Sequence, residues 1–377
     1  MNLPPLGLYI HLPWCERKCP YCDFNSHEAR EIPEQAYVDA LLLDLRQDYH
    51  LAQDREVATL FIGGGTPSLF SAGAISRLLQ GLADYLPLSA QLEATMESNP
   101  GSAEADKFLG FRQAGINRLS LGVQSFQDDK LLALGRVHNS SQAMAAIEYA
   151  RQAGFDNFYI DLMHGMPGQT EADAAEDLTT ALTFNPPHLS WYQLTIEPNT
   201  VFNKHPPQLP IEDSLADIQD AGEKILAQHG FAQYEVSAYS RTGRHCRHNL
   251  NYWQFGDYLA LGAGAHGKIS FIDGRIQRYA KTRAPQDYLA GHRFTASERI
   301  LTRAETIEEF MLFALRLNEG FSVADFEART GTGIGEIEQT LEGLYRRQLL
   351  QRSSDHIATT ALGRRFLDSV IAEFLTP

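Results

Sequence analysis

Three of the four cysteines in this sequence lie within eight residues, and their spacing is the strongest chemical signal in the chain. Cys15, Cys19 and Cys22 follow the pattern C-x3-C-x2-C. A structural zinc site normally takes four protein ligands in paired halves, whereas thiolates on short spacings are typical of iron–sulfur clusters. Three cysteines that hold a four-iron cluster leave one iron open to a small ligand. The spacing therefore favours a [4Fe-4S] cluster with one open coordination position.

Three other interpretations of these cysteines stay open from the residues alone. A zinc knuckle could take His11 or His27 as its fourth ligand. One disulfide with a free thiol, or three plainly buried cysteines, would also fit the count. The stretch as a whole is similar to the cluster loop of radical S-adenosylmethionine (radical SAM) enzymes, and that resemblance implies the iron–sulfur cluster.

The composition of the 377-residue chain excludes several classes of protein. Hydrophobic residues make up 44%, enough for a large core and a second, smaller domain. The net charge of −15 disfavours a nucleic-acid partner, because phosphate contacts need clustered Lys and Arg. The first residues predict no signal peptide, and no run approaches the roughly 18 apolar residues of a membrane helix. Since the cysteines form no disulfide framework, we expect a cytoplasmic protein.

The rest of the pattern is an alternation of strands and helices. Apolar strands are predicted at residues 6–11, 57–62, 92–98, 118–122, 158–163 and 189–195. Helical periodicity follows them at residues 33–52, 72–85, 103–114, 128–134 with 142–153, 171–184 and 214–229. Six such units in a row predict an α/β fold with a parallel sheet and right-handed crossovers. The pattern does not say whether this sheet closes into a barrel.

The alternation ends at about residue 240, which divides the chain into three parts. Residues 1–240 form the predicted core, although a further strand is expected at residues 233–239. Residues 241–302 form a connecting segment rich in aromatic residues and glycine. Residues 303–377 show helical patterns followed by a short hairpin, which predicts a small winged-helix-like module. Its excess of acidic residues favours packing against the core over DNA binding.

Unusual residues stand at the end of every predicted strand. These ends carry the cysteine loop, Gly-Gly-Gly-Thr-Pro at residues 63–67, Glu97, Gly-Val-Gln-Ser at residues 122–125, Asp161 and Gln193. Each has an ordinary explanation by itself, since glycine runs make turns and single polar residues face water. Because the carboxyl ends of parallel strands meet at one edge, we expect these residues to form one ligand site.

The chemistry of these residues fits S-adenosylmethionine (SAM). Glycine lets the backbone come close to a small zwitterion, and Glu97 and Asp161 can accept hydrogen bonds from ribose hydroxyls or a cation. Arg136 can pair with a carboxylate. The open iron would bind the amino and carboxylate groups of SAM, whose one-electron cleavage is chemistry that the cofactor supplies.

Four motifs together resemble the oxygen-independent coproporphyrinogen dehydrogenase family of radical SAM proteins. They are Tyr-Ile-His-Leu-Pro-Trp-Cys at residues 9–15, Gly-Gly-Gly-Thr-Pro at 63–67, Gly-Val-Gln-Ser-Phe at 122–126 and Ile-Asp-Leu-Met-His-Gly-Met-Pro at 160–167. The resemblance covers essentially the whole chain and implies a partial (βα)6 radical SAM barrel. It also implies three groups of site residues: Cys15, Cys19 and Cys22 for the cluster; Tyr9, Gly64 and Glu97 for the SAM at the cluster; and Tyr21, Gly65, Thr66, Gln124, Arg136 and Asp161 around a second SAM or whatever occupies that place.

Two features differ from the dehydrogenases and resemble the HemW branch of the family, the haem chaperones. The cysteine loop of the dehydrogenases continues as Cys-x-Cys, but here Phe24 stands at the last position, and few residues precede Tyr9 where the dehydrogenases carry an extension. That branch also carries His-Asn-x-x-Tyr-Trp, which residues 248–253 match. The resemblance makes His248 the expected haem ligand, since imidazole binds haem iron; without it, a lone histidine is more often structural. Cys246 and His245 are weaker candidates.

The resemblance therefore implies a haem chaperone that holds a [4Fe-4S] cluster, SAM and haem, and that delivers haem to acceptor proteins. An acceptor at a membrane is compatible with this prediction, and cleavage of SAM would require a low-potential electron donor. The alternative is a coproporphyrinogen III dehydrogenase, which decarboxylates two propionates and shares Gln124, Arg136 and Asp161. Phe24 and the short N-terminus disfavour that enzyme. A radical SAM enzyme acting on RNA is disfavoured by the negative charge.

Overall fold

The computed structural model describes residues 3–102 and 104–375. The predicted helix start at Ala103, and Met1 and Asn2 of the segment inspected for a signal peptide, lie outside these residues. The first half of the chain forms β1 (Leu6–Leu12), β2 (Trp14–Cys15), β3 (His27–Glu28), α1 (Glu34–Asp48), β4 (Val57–Gly64), α2 (Ala72–Ala83), β5 (Leu88–Ser98), α3 (Ala105–Ala114), β6 (Arg118–Gln124), α4 (Asp128–Ala133), α5 (Ser140–Gln152), β7 (Phe158–His164), α6 (Glu171–Thr183) and β8 (His188–Gln193).

The second half contains shorter elements. They are α7 (Val201–Lys204), α8 (Glu212–Gln228), β9 (Ala232–Gln233), β10 (Ala238–Ser240), α9 (Arg247–Trp253), β11 (Asp257–Leu261), β12 (His266–Ser270), β13 (Ile276–Lys281), α10 (Pro285–Leu289), β14 (Thr295–Ile300), α11 (Arg303–Ala314), β15 (Phe321–Ser322), α12 (Val323–Thr330), α13 (Glu338–Arg346), β16 (Leu350–Ser353), β17 (His356–Thr359), α14 (Ala361–Arg365) and α15 (Leu367–Ala372).

The six predicted βα strands form the centre of one large sheet. Its strand order is β14-β13-β12-β11-β1-β4-β5-β6-β7-β8-β10-β9, and the run from β1 to β8 is parallel throughout. Each of these strands is followed by a helix that covers the outer face, as a parallel sheet requires. The predicted α/β fold with six βα units is confirmed. The strand order has two ends, at β14 and β9, so the barrel is partial.

The sheet continues past residue 240, which the sequence pattern did not indicate. β11 lies parallel to β1 on the side opposite β4, with Leu6 opposite Asp257 and Ile10 opposite Leu261. β12, β13 and β14 then extend the sheet in antiparallel fashion. Much of the predicted connecting segment is therefore sheet, and its first strand is central.

The prediction of one strand over residues 233–239 is wrong. The chain forms two short strands there, β9 and β10, which pair antiparallel with Tyr239 opposite Gln233. A turn separates them, closed by a backbone hydrogen bond of 3.1 Å from the Tyr234 N–H to the Ala238 carbonyl. Polar and apolar residues alternate from Gln233 to Ala238, as they do in a half-buried strand, and this pattern concealed the turn.

The C-terminal part has the predicted winged-helix-like form. Helices α11, α12 and α13 pack against a small antiparallel sheet in the order β15-β17-β16. Its core is aromatic, with the ring of Phe310 lying 5.2 Å from both Phe321 and Phe326. Phe255, which precedes β11, inserts into this core 5.6 Å from Phe310 and so joins the module to the large sheet. Within residues 3–102 and 104–375, no helix has the length and apolarity needed to cross a membrane.

We predict that Gly222→Ala destabilises the fold. Gly222 lies on α8 against the buried Trp191 of β8, and an added Cβ would meet the indole ring at 1.9 Å. Overpacking of this kind costs roughly 1–3 kcal/mol of the free energy of unfolding. The control is Gly73→Ala on α2, where a Cβ has no neighbour within 4 Å and we expect no loss. Denaturant unfolding compares the two variants, and equal midpoints would contradict the prediction.

Candidate functional site

A cavity of about 630 Å³ opens at the carboxyl ends of the parallel strands. This is the edge at which α/β folds of this kind bind their ligands. Eleven of the thirteen site residues named from the sequence line it: Cys15, Cys19, Tyr21, Cys22, Gly64, Gly65, Thr66, Glu97, Gln124, Arg136 and Asp161. The strand order alone brings these residues together from six separate stretches of the chain.

The cysteine loop is tied to the loop that follows α4. Arg17 donates hydrogen bonds to the carbonyl oxygens of Gly135 at 2.7 Å and of Arg136 at 2.9 Å. A backbone hydrogen bond of 3.1 Å from Cys22 to Cys19 closes a turn between these two cysteines. The loop is therefore held by backbone contacts that do not involve the cysteine sulfurs.

The donor set of the loop fits a cluster with three protein ligands. All four cysteines of the chain are free thiols. His11, one of the two alternative ligands, uses both ring nitrogens, Nδ1 with the Tyr9 hydroxyl and Nε2 with the Asn25 carbonyl, each at 2.9 Å. Burial raises the pKa of the Cys15 and Cys22 thiols, so cluster binding must displace protons. Three sulfurs beside an open cavity suit a cluster that leaves one iron accessible.

Two half-buried carboxyl groups give the cavity an affinity for cations. Burial and then the charge of Asp161 raise the pKa of Glu97 to about 7, and burial raises the pKa of Asp161 to about 6. Glu97 accepts a hydrogen bond of 3.1 Å from the Gly64 N–H, and Asp161 accepts one of 2.6 Å from the Ser120 hydroxyl. Both of these hydrogen-bond donors are neutral, so neither contact supplies positive charge to a carboxylate. An ammonium or sulfonium group in the cavity would supply it.

Arg136 supplies a positive charge to the lining of the same cavity. Its guanidinium donates to the Gly122 carbonyl at 2.8 Å and to the Tyr21 hydroxyl at 3.4 Å. Its Nε is buried and has no hydrogen-bond partner within the described part of the chain, and the same holds for the buried Ser98 hydroxyl. Buried polar atoms are nearly always satisfied, so these two mark the place of a polar ligand. The mixture of charges suits the zwitterionic end of SAM.

Gln124 takes a strained backbone conformation at the end of β6. Its φ of 70° is unusual for a residue other than glycine. Its side-chain oxygen accepts a hydrogen bond of 2.6 Å from the Tyr192 hydroxyl. The next two residues are fixed by Asp177 on α6, which accepts from the Ser125 hydroxyl at 2.8 Å and from the Phe126 N–H at 2.7 Å. Tyr192 and Asp177 could not be predicted as site residues, because nothing in the sequence connects either residue with Gln124.

The glycines at residues 64 and 65 have a structural reason as well as a place in the cavity wall. Gly64 has a φ of +115°, and a Cβ there would lie 2.5 Å from the ring of His11. A Cβ on Gly65 would lie 2.4 Å from the backbone oxygen of Trp14. The sequence suggested close approach to a ligand, whereas the structure shows close approach to the end of β1.

Tyr9 and His248 lie outside the cavity wall. Phe61 lines the cavity and separates them, with its ring 6.4 Å from that of Tyr9 and 5.2 Å from that of His248. His248 is buried on α9, and its ring nitrogens bond to the Thr59 hydroxyl at 2.9 Å and to the Tyr252 hydroxyl at 3.0 Å. Burial lowers the pKa of His248 to about 3. His248 is therefore a neutral imidazole beneath the cavity, and both of its ring nitrogens are hydrogen-bonded.

The neighbours of His248 occupy different environments. Asn249 lines the cavity, which sequence analysis did not anticipate although it noticed the motif. Cys246 is fully buried, with its sulfur 3.8 Å from Glu93 Oε1, and burial raises its pKa to about 12. His245 is half-buried and stacks on Tyr234 at 4.2 Å. The three candidate haem ligands therefore differ sharply in how readily they could reach a metal.

We predict that the cluster depends on the three loop cysteines alone. Cys15→Ala, Cys19→Ala and Cys22→Ala should each lose the cluster, because each removes one of only three thiolate ligands. Cys246→Ala should keep it, since Cys246 lies beside Glu93, outside the cavity wall. Iron content and absorbance after anaerobic reconstitution measure this. A Cys246 variant without a cluster, together with a loop variant that retains one, would refute the assignment.

We also predict that Glu97→Gln stabilises the SAM-free protein above pH 7. The folded protein holds the Glu97 proton up to a pKa of about 7, whereas the unfolded chain releases it near 4.5. The folded state binds more protons between these values, so stability falls as pH rises through them. At pH 8 the variant should gain at most about 3 kcal/mol, and at pH 4 it should match the wild type. Denaturant unfolding at both pH values decides, and equal stability at pH 8 would contradict the prediction.

Comparison with known proteins supports this description of the chain. A model of the Radical SAM superfamily matches residues 9–181, and one of the HemN C-terminal domain matches residues 301–366. A protein of Escherichia coli (strain K12) named Heme chaperone HemW is 49% identical over 376 residues, covering 100% of this chain and 99% of that protein. Proteins of the same name from Haemophilus influenzae and Bacillus subtilis are 46% and 34% identical, covering 100% and 97% of this chain and 99% and 98% of their own lengths.

Solved structures support the same fold. Coproporphyrinogen III oxidase (HemN) from Escherichia coli, a radical SAM enzyme, superimposes with a TM-score of 0.84 at 24% identity, covering 99% of this chain and 90% of that one. This likeness concerns the architecture, including the C-terminal module. Because relatives named HemW are up to 49% identical over nearly their whole length, this chain belongs to the HemW family of radical SAM proteins.

Proposed function

We propose that this protein is a haem chaperone, which binds haem and transfers it to acceptor proteins. The observation that carries the proposal is similarity over the full length to proteins named Heme chaperone HemW, at identities from 34% to 49%. We place this function in the cytosol, a reducing compartment that suits four free cysteines. An acceptor protein and, where SAM is cleaved, a low-potential electron donor are the partners that this function requires.

Cys15, Cys19 and Cys22 are proposed to hold a [4Fe-4S] cluster, with SAM in the adjoining cavity. Glu97 and Asp161 would face the cationic groups of SAM and Arg136 its carboxylate, as their charges favour. The cofactor supplies the capacity for one-electron chemistry. The chain contributes a cavity that orients SAM, pairs its charges and limits access of water.

Phe24 distinguishes the chaperone from the alternative coproporphyrinogen III dehydrogenase. It occupies the position at which the dehydrogenases continue the loop with a further cysteine. Its side chain is 59% exposed and lines the cavity. A phenyl ring can neither ligate a metal nor transfer a proton, so this position lacks the chemistry of a thiol. This difference favours the chaperone.

His248 remains our proposed haem ligand, and its surroundings define what ligation requires. A ring nitrogen can bind iron only after its own hydrogen bond breaks, which is the bond to Thr59 for Nδ1 and the bond to Tyr252 for Nε2. Each such bond stabilises the fold by roughly 0.5–1.5 kcal/mol, which an iron–nitrogen bond can offset. His248 lies on α9, a helix of seven residues, so ligation would involve displacement of one short element.

The proposed function predicts haem binding without oxidase activity. Purified protein carrying its cluster should give a distinct Soret band when titrated with haem. Under reducing, oxygen-free conditions with SAM it should yield no protoporphyrinogen from coproporphyrinogen III. Oxygen must be excluded because it would destroy the cluster and mimic inactivity. Steady formation of protoporphyrinogen would refute the chaperone and favour the dehydrogenase.

Two variants of His248 separate a ligand from a structural residue. Glutamine can keep the hydrogen bonds to Thr59 and Tyr252 but has no imidazole. Alanine has neither the imidazole nor the hydrogen bonds. If His248 binds iron, His248→Gln and His248→Ala should both shift or abolish the Soret band while retaining the cluster. A wild-type band in His248→Gln would assign the residue to the fold and move the ligand elsewhere, with His245 and Cys246 as the next candidates.

A further inference from the structure

A polar side chain lies within hydrogen-bonding distance of each of the three cysteine sulfurs at the cluster site. The Thr66 hydroxyl donates to Cys15 Sγ at 3.4 Å, and Arg136 Nη1 donates to Cys19 Sγ at 3.6 Å. The third pair is Ser26 Oγ and Cys22 Sγ, 3.7 Å apart. A thiolate can only accept hydrogen bonds, so Ser26 becomes the donor once Cys22 binds a metal. These contacts lie within the range for hydrogen bonds to sulfur.

The three donors come from separate parts of the chain and are held independently of any ligand. Thr66 follows β4, and its N–H donates to the Trp14 carbonyl at 2.8 Å. Ser26 is buried, and its N–H donates to the Phe24 carbonyl at 2.7 Å. Arg136 is anchored by its contact with the Gly122 carbonyl. Thr66 and Arg136 each contact one sulfur, whereas Ser26 contacts Cys22 and also Cys15.

We propose that Thr66, Ser26 and Arg136 raise the reduction potential of the [4Fe-4S] cluster. Reduction adds one electron to the cluster, and no other bond forms or breaks. Hydrogen bonds and positive charge at the sulfurs stabilise the more negative, reduced form. The resemblance to the family assigns Thr66 and Arg136 only to the surroundings of SAM, and it assigns Ser26 no role. The inference rests on the cluster of the proposed function but not on haem binding.

The decisive experiment removes the two hydroxyl groups and measures the potential directly. Thr66→Val keeps the shape of the side chain without its hydroxyl, and Ser26→Ala does the same for Ser26. The reconstituted full-length proteins are titrated with dithionite without SAM, and the reduced cluster is followed by electron paramagnetic resonance. We expect full iron content and a more negative midpoint potential in each variant. The double variant should have a more negative potential than either single variant, although the two shifts need not add because both hydroxyls reach Cys15.

Two further variants serve as controls. Thr95→Val makes the same substitution at a buried residue of β5 whose hydroxyl has no hydrogen-bond partner within the described residues. It should leave the potential unchanged. Thr66→Ser restores a hydroxyl and should return the potential towards that of the wild type.

Several outcomes would overturn the inference. Wild-type potentials in Thr66→Val and Ser26→Ala at full iron content would show that the donors do not tune the cluster. If the variants lose iron while the potential of the remaining clusters is unchanged, the donors help to retain the cluster but do not change its potential. If the wild-type protein takes up no cluster, the proposed cofactor is refuted. If it takes up a cluster but does not bind haem, only the proposed chaperone function is refuted.

Discussion

The site depends on the position of β1 between β4 and β11. This strand pairs with β4 from Leu6 to Leu12 and with β11 from Leu6 to Ile10, so backbone hydrogen bonds on both sides fix its position. Tyr37 reinforces that end, because its hydroxyl donates to the His11 carbonyl at 3.0 Å and accepts from the Ala263 N–H at 2.8 Å. The cysteine loop begins directly after this strand. Its location relative to the glycine run of β4 therefore follows from backbone pairing.

Charged side chains have different partners at the amino ends and at the carboxyl ends of the parallel strands. At the amino ends, Arg118 pairs with Glu93 at 3.7 Å and stacks over Tyr159, so the charges neutralise each other inside the protein. At the carboxyl ends, the pKa values of Glu97 and Asp161 are both raised, and within residues 3–102 and 104–375 neither carboxyl group forms an ion pair. Desolvated charge without a partner destabilises a fold. The carboxyl ends are therefore the better place for a ligand that carries positive charge.

The cluster loop and the SAM cavity are physically coupled through Arg136. Its backbone carbonyl accepts from Arg17 in the cysteine loop, and its side chain contacts both Cys19 and Tyr21. Its buried Nε is directed to no atom of the described chain. One residue thus contacts the cysteine loop and also lines the cavity, so the two parts of the site share a side chain.

Local chemistry in the sequence was sufficient for the cysteine loop, the six βα units and the polar strand ends, because spacing and hydrophobic period report local structure. The rule that parallel strands end at one edge predicted most of the eleven cavity residues, whereas Arg136, which follows α4, was expected from its charge and from the family resemblance. Only the tertiary structure could show that β11 lies beside β1, that Asp177 fixes the two residues after the strained Gln124, and that both nitrogens of His248 are already hydrogen-bonded. Each of these depends on contacts between residues far apart in the chain, which no local pattern records.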